Sequence, residues 1–391
     1  MALTPDVAPV LALNSGSSSL KFGVFAQDQG AVQAIYRGSL DGIGTKESHL
    51  EIRSTDGRSL AQESHSSETQ THALRAVGAA LRKLDLPRVA AVGHRIVHGG
   101  PELLEHQRIT PEVLKKLEAA ATFAPLHVPI ELELIRETQS QFPDAPQFAC
   151  LDTAFHRTLP ETAARFALPE TLWEGGIRRY GFHGLSCESI LHALGKAIPP
   201  RTIIAHLGNG ASITALADGR SVDTSMGLTP TGGVIMGTRT GDLDPGVLLH
   251  VMRSGIARGV ELEALVDEKS GLLGISGISS DMRQLHDAEN NPRARLAIEM
   301  FARAVKKQIG AFVALLGGLD LLVFSGGIGE HDAAVRAEIC GELEFLGVAL
   351  DGTKNAQNVP VISNTAGRVT VRVVRTDEEG QIARHVFRLL T

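Results

Sequence analysis

Residues 10–25, VLALNSGSSSLKFGVF, decide the reading of the fold. Apolar Val10–Leu13 runs into a polar turn, Asn14–Ser19, and the chain then alternates through Leu20, Phe22 and Val24, as a hairpin with one face in a core does. Residues 202–216, TIIAHLGNGASITAL, repeat the pattern. There a strand over Thr202–Ala205 meets a polar turn, His206–Gly210, and a second strand, Ala211–Leu216, closes on Asp218-Gly219. A further pair of look-alikes lies downstream of each hairpin. Val89–Val97 runs into His98-Gly99-Gly100, and Leu319–Phe324 runs into Ser325-Gly326-Gly327. The repetition reads as an ancient duplication in an α/β chain, with a cleft between the halves. The boundary falls near Cys150–Thr153, a short apolar strand after the Pro143–Pro146 loop. Helices are expected from Thr110-Pro111 to Ala121, over Arg295–Leu316 up to Gly317-Gly318, and from about Asp377 to the end, with Ile382, Val386, Phe387 and Leu390 facing a core.

Composition agrees with two domains, since 391 residues exceed the roughly 150 of one domain. A hydrophobic share of 43% supplies buried cores and sets disorder aside. The 41 glycines exceed the usual ~7% without a collagen period, which points to loops where backbone approaches a ligand closely. A net charge of −6 argues against a nucleic-acid partner. Cys150, Cys187 and Cys340 are odd in number and far apart, as in a reduced, cytoplasmic protein. The opening MALTPDVAPV has no Lys or Arg before its apolar residues, so no signal peptide is expected. Ala311–Phe324 is broken by Gly317, Gly318 and Asp320 and is too short to span a bilayer, so no membrane partner is expected.

Familiar phosphate and metal signatures are missing: no GxxxxGK[ST], no complete GxGxxG, no HExxH and no clustered Cys/His zinc pattern. Ser18–Lys21 matches SxxK, but no KTG or SDN accompanies it, and the match is chance. Gly- and Ser-rich turns after strands remain. Asn14–Ser19 offers hydroxyls and backbone N–H groups for phosphate oxygens, with the Lys21 charge beside them, although a plain serine-rich turn would look the same. His206–Gly210 and Gly327-Ile328-Gly329-Glu330 repeat the theme, as a nucleotide spread over several loops would require. Gly93-His94-Arg95 and Gly237-Thr238-Arg239 place arginines beside glycine, where a guanidinium can take a phosphate or carboxylate bidentately. Asp152 ends an apolar strand, a common place for a carboxylate that faces a ligand. His183 lies between glycines in YGFHG, and a structural histidine is the plainer reading there.

Together these segments resemble the acetate kinase family over nearly the whole chain. The stretches that carry the resemblance are NSGSSSLKF, GHRIVHGG, FAPLHVP, LDTAFHRTLP, RRYGFHGLS, IIAHLGNGAS, MGTRTGDLDPG, SSDMR, SGGIGEH and TDEEGQIAR, in this order. The resemblance implies two duplicated actin/Hsp70-like (ribonuclease H-like) domains: residues 1–150, completed by the helix 378–391, and residues 151–377, which would carry most nucleotide contacts. It implies a homodimer that converts ATP and acetate reversibly to ADP and acetyl phosphate with Mg²⁺, for which Mn²⁺ could substitute. It makes Asp152 the catalytic aspartate. Arg95 would bind the carboxylate or the phosphoryl group, and Val97, Leu126, Phe182 and Pro230 would line the methyl pocket. Arg239 and His183 would stabilise the phosphoryl group in transfer. Lys21, His206, Leu207, Gly208, Asn209, Gly210, Asp281, Met282, Arg283, Gly327, Ile328, Gly329, Glu330 and His331 would hold the nucleotide, and Asn14 and Glu378 would hold the metal. Two departures stand out: Thr231-Gly232-Gly233 follows Thr229-Pro230 where many members read Leu-Glu-Gly, and the GIGE loop ends in His331.

A carboxylate acceptor is ionised at neutral pH, so the chemistry needs no base to make the nucleophile. The difficulty is anion meeting anion, which costs ~4 kcal/mol at 4 Å for an effective dielectric near 20. Arginines, a histidine, a lysine and Mg²⁺ answer that repulsion, and Asp152 is expected to orient rather than to remove a proton. The rival readings are a propionate kinase, which differs by one methylene worth ~1–3 kcal/mol, and a conformational ATPase of the same fold. Val97 leans toward acetate. Arg95 and Arg239 argue against an ATPase that activates only water, and a sugar kinase would need a true base.

Overall fold

The computed structural model describes residues 8–16, 18–84, 88–196 and 198–391. Ser17 of the first polar turn and Met1–Val7 of the opening stretch lie outside the described residues. The chain divides into two units, one of Met1–Ala154, Gly184–Ser189 and Asp377–Thr391, the other of Phe155–His183 and Ile190–Thr376.

The first unit holds β1 (Val10–Ser15), β2 (Ser19–Asp28), β3 (Ala31–Asp41), β4 (Ser48–Ser54), β5 (Ser59–His65), β6 (Ala91–Ile96), β7 (Gln107–Arg108) and β8 (Gln147–Leu151). Their order in the sheet is β5-β4-β3-β2-β1-β6-β8-β7. β1 and β2 form the antiparallel hairpin read from the sequence, whereas β6 lies parallel to β1 and β8 parallel to β6. Alternation along β1 divides its side chains between two cores. Leu11 and Leu13 pack with Leu74 and Val77 of the helix Gln70–Lys83 and Leu134 of the helix Val128–Gln141. Val10 and Ala12 face the other way, onto Ile382, Val386 and Phe387 of the helix Glu378–Leu390. The last expected core residue of that helix is not one: Leu390 is 39% exposed, because the buried stripe ends at Phe387. The Thr110-capped helix is Pro111–Ala120.

The second unit holds β9 (Arg201–Leu207), β10 (Ala211–Ala217), β11 (Arg220–Thr224), β12 (Leu321–Ser325) and β13 (Thr370–Val373), in the order β11-β10-β9-β12-β13. β10 is antiparallel to β9 and β11, β12 is parallel to β9, and β13 is parallel to β12. This is the arrangement of β3-β2-β1-β6-β8, so each unit repeats one plan. The helix Pro292–Leu316 starts earlier than Arg295 because Asn291 caps it through Arg293 N–H and Pro292 takes its first position, and it ends at Gly317 in the left-handed region.

Two expected turns differ. His206 and Leu207 belong to β9, since Ser212 and Ala211 pair with them across the hairpin. Gly327-Ile328-Gly329-Glu330 is not a loop but part of a short helix, Gly326–His331. Gly326 makes that entry with φ +75°, where an added Cβ would stand 2.6 Å from the Leu207 carbonyl oxygen. Among the described residues no helix is long and apolar enough to cross a membrane.

Gly93 sets how closely the terminal helix approaches the sheet: a Cβ there would lie 2.5 Å from Ile382 Cγ2 and 2.6 Å from Val386 Cγ2. Overpacking of this kind costs about 1–3 kcal/mol. Gly93→Val should therefore lower the denaturant midpoint of unfolding, and an unchanged midpoint would show that the helix gives way freely.

Candidate active site

In the first unit the parallel strands end side by side, and their carboxyl ends gather the chemistry. Register places Leu13 opposite His94 and Arg95 opposite Cys150, and Asp152 N–H donates to the Ile96 carbonyl. Asn14, Arg95 and Asp152 thereby come to one edge. Asp152 is 1% exposed, and its Oδ2 accepts from Arg95 Nε at 2.9 Å and Nη2 at 2.6 Å. Arg95 Nη1 donates to the Ser15 carbonyl at 3.0 Å. Burial pushes the Asp152 carboxyl up to about 6 against the pull of Arg95, with Glu378 adding to the rise. Burial works against the Arg95 charge as well, but Asp152, Glu378 and Glu131 outweigh it and hold the guanidinium above its ordinary range.

The helix Glu378–Leu390 brings a second group of acids. Asn14 Nδ2 donates to Glu378 Oε2 and to Glu379 Oε1, both at 2.8 Å, and Ser186 Oγ donates to Glu378 Oε1. Burial and the neighbouring Glu378 raise the Glu379 carboxyl. Lys21 stands on β2 directly across the hairpin from Asn14. Asp152 Oδ1 is buried without a hydrogen bond among the described residues. A carboxylate-rich set with an unanswered oxygen fits a hard divalent cation such as Mg²⁺. Val97 is buried, and Leu126 is 44% exposed.

The second unit carries the remaining expected residues. His183, at φ +58°, has Nδ1 3.0 Å from Ser212 Oγ, and its ring centroid lies 4.5 Å from that of His206. A Cβ on Gly210 would stand 3.3 Å from His183 Nε2 and 3.6 Å from Arg239 Nη1, so this glycine lies against both side chains. Arg239 Nη1 donates to the Pro230 carbonyl at 3.4 Å. Gly208 N–H donates to the Gly210 carbonyl, and Gly237 N–H to that of Asn209, which fixes the turn; Asn209 is exposed and Phe182 buried. Gly327 and His331 are exposed and Ile328 is half-buried, while Glu330 Oε1 accepts from Gly326 N–H and Thr376 N–H, each at 3.2 Å. Asp281 caps the helix Met282–Asp287 and pairs with the exposed Arg283, and Met282 is buried. In the departing segment, Gly233 lies at φ +96° and donates to Asp242 Oδ1 at 2.7 Å.

A separate cluster has the composition of a metal site: His106, Glu188 and His385. Its ring nitrogens already have partners. Leu151 N–H donates to His106 Nδ1 and Arg388 Nη2 to His385 Nδ1, while both Nε2 atoms face Glu188. The two Nε2–H donors outweigh burial and hold the Glu188 carboxyl well below its ordinary range.

Sequence reading missed Ser15, Glu131, Ser186 and Glu379. Glu131 is 4% exposed, and both carboxylate oxygens accept from Val97 N–H, at 3.0 and 3.2 Å. Its position among the acids of an amphipathic helix gives no local sign of this. Glu379 follows Glu378 in the stretch already singled out, and the chain's own pairing of acids was the available signal.

Residues 9–384 match the model of the acetokinase family. The chain is 41% identical over 389 residues to an acetate kinase of Nitrobacter hamburgensis, covering 97% of this chain and 96% of that protein. It is also 41% identical over 395 residues to a propionate kinase of Yersinia enterocolitica, with 97% and 96% covered. The solved structure of Porphyromonas gingivalis acetate kinase superposes with a TM-score of 0.85 at 37% identity, covering 98% of this chain and all of that one, 100%.

The Arg95–Asp152 pair generates a pH prediction. Arg95→Met would leave the Asp152 carboxylate buried without its counter-charge, a loss of about 3–5 kcal/mol for a buried pair. The Asp152 carboxyl, already raised to about 6, would rise further, so near neutral pH the folded variant holds a proton that the unmodified protein has released, whereas in acid both hold it. The stability deficit of Arg95→Met should thus be larger at about pH 7 than at about pH 5. Equal deficits in urea unfolding at both values would remove Asp152 from the explanation.

Proposed function

The chain belongs to the acetokinase family, of duplicated actin/Hsp70-like fold, and we propose that it transfers the γ-phosphoryl group of ATP to acetate, reversibly, giving acetyl phosphate and ADP. The observation that carries the reading is the charged, partly buried Arg95 at the parallel strand ends, held from behind by Asp152 and Ser15. The acceptor carboxylate is already a nucleophile, and its approach to a phosphoryl group is limited by repulsion rather than by proton removal.

Each residue's part follows from that limit. Arg95 receives the carboxylate, with Val97 and Leu126 of the same unit for the methyl group. Asp152 fixes the Arg95 guanidinium through one oxygen and keeps the other for a cation or its water, so it orients and does not act as base. Asn14 and Glu378 hold Mg²⁺, or Mn²⁺ in its place, which when bound neutralises phosphate charge. Lys21 adds a positive charge beside them. In the second unit, His183 and Arg239 flank Gly210 and stabilise the charge on the phosphoryl group. His206–Gly210 and the N-terminal turn of Gly326–His331 supply backbone N–H groups for the nucleotide. Glu330 supports that turn through Gly326 N–H, Asp281 supports the neighbouring helix start, and Arg283 and His331 offer exposed polar groups to the nucleotide. On this reading residues 1–150 with the helix 378–391 form the acceptor domain, and residues 151–377 the nucleotide domain.

Propionate is the second acceptor to consider, because a relative of equal identity carries that name. One methylene changes pocket binding by only about 1–3 kcal/mol, and the size of Val97 favours acetate. Cys150, Cys187 and Cys340, all buried thiols, support a cytoplasmic setting. A homodimer is the expected assembly, to be checked by sedimentation: a single species of monomer mass at micromolar concentration would refute it.

The direct test is acyl phosphate formation, trapped as hydroxamate, with MgATP and acetate, propionate or butyrate. Acetate should give the highest kcat/KM. Hydrolysis of ATP with no hydroxamate from any acid would overturn the kinase reading in favour of a conformational ATPase. Asp152→Asn should lower kcat by about 10²-fold or more, as loss of a preorganised electrostatic group does. Near-full activity of that variant at saturating Mg²⁺ would remove Asp152 from the machinery.

A further inference from the structure

We propose that Glu131 is a positioning residue of the acceptor site: it holds the Val97 backbone, and it must be neutral when Arg95 receives a carboxylate. The inference rests on the reading of Arg95 and Val97 given above.

The geometry leaves the Glu131 carboxyl short of the donors that an ionised carboxylate needs. An ionised carboxylate has about four acceptor positions to fill. Glu131, at 4% exposure, receives one neutral donor, the Val97 N–H, which both oxygens share. No charged group hydrogen-bonds to it among the described residues. A protonated Glu131 keeps the Val97 contact through its carbonyl oxygen and has one less charge to solvate.

Charge around Arg95 leads to the same state. The groups that face Glu131 electrostatically are Arg95 and Asp152, and Glu378 acts on both of these in turn. Arg95 is thus a single positive charge among several acids before any substrate arrives. Asp152 already holds Nε and Nη2 of the guanidinium. A second ionised carboxylate beside Arg95 would compete with the acceptor for the same charge. Burial first, and Asp152 second, raise Glu131 against the pull of Arg95 and of the Val97 N–H, to about 7. Below that pH Glu131 is neutral and Arg95 is available to the acceptor. Above it, binding the acceptor requires taking up a proton.

The experiment is the pH dependence of KM for acetate, KM for ATP and kcat, from about pH 6 to about pH 8.5, in the unmodified enzyme and in Glu131→Gln. Acetate is fully ionised across this range, so its own titration does not contribute. In the unmodified enzyme KM for acetate should rise above pH 7 toward a limit of about tenfold per pH unit, the slope for one proton taken up. Glu131→Gln keeps an acceptor for Val97 N–H without a charge, and its KM for acetate should stay low and flat above about pH 7, where Asp152 has already titrated, with KM for ATP following that of the unmodified enzyme. A parallel pH profile in Glu131→Gln, or a flat one in the unmodified enzyme, overturns the proposal. If the variant fails to fold, calorimetry of acetate binding to the unmodified enzyme at about pH 8 in buffers of different ionisation enthalpy decides instead. Uptake of a proton supports the role and its absence refutes it. Failure of the unmodified enzyme to form any acyl phosphate would be a failure of the kinase reading, and is distinguishable from both results.

Discussion

Strand register is the constraint on which the first unit depends. Pairing of Leu13 with His94, and of Arg95 with Cys150, aligns three parallel strands so that their ends present Asn14, Arg95 and Asp152 together. Side chains alternate along a strand, and a slip of one residue would turn Arg95 to the opposite face and bury the wrong set. The two cores on either side of β1 make such a slip costly, because Leu11 and Leu13 would exchange places with Val10 and Ala12. Hydrophobic sorting thus fixes a polar geometry. The second unit uses the same device, with β9 and β12 parallel and Ser325 opposite His206.

Much of this was legible in the chain. The hairpins announce themselves because alternation and Gly/Ser-rich turns are local signals, and so does the duplication built from them. The terminal helix was readable from its apolar spacing up to Phe387. What escaped reading was long-range or electrostatic. Gly326–His331 looked like a loop because glycine is a poor helix former, and the helix forms since Gly326 alone can turn so closely under the Leu207 carbonyl. Glu131 resembles any solvated acid until the fold places it behind Val97. His106, Glu188 and His385 are far apart in sequence, and only the fold brings them together with the Leu151 N–H and Arg388 donors.

The first unit's strand ends carry an excess of negative charge for a site that must accept anions. Arg95 stands among Asp152, Glu131 and Glu378, while Glu379 has Arg37 3.8 Å away and Lys21 lies across the hairpin from Asn14. Such crowding keeps the arginine charged and leaves the acids short of donors. A divalent cation and a proton are two inexpensive ways of relieving it.

The terminal helix has a consequence for how the chain acquires its structure. Ile382, Ala383, Val386 and Phe387 complete a core that includes Val10, Ala12, Phe25 and Ala91 from the opening third of the chain, together with Phe148, Cys150 and Leu185. On the ribosome the first sheet must wait, with one face bare, while the whole of the second unit is made. That unit is continuous over most of its length and can close first. The strands made first are thus the ones whose core synthesis completes last.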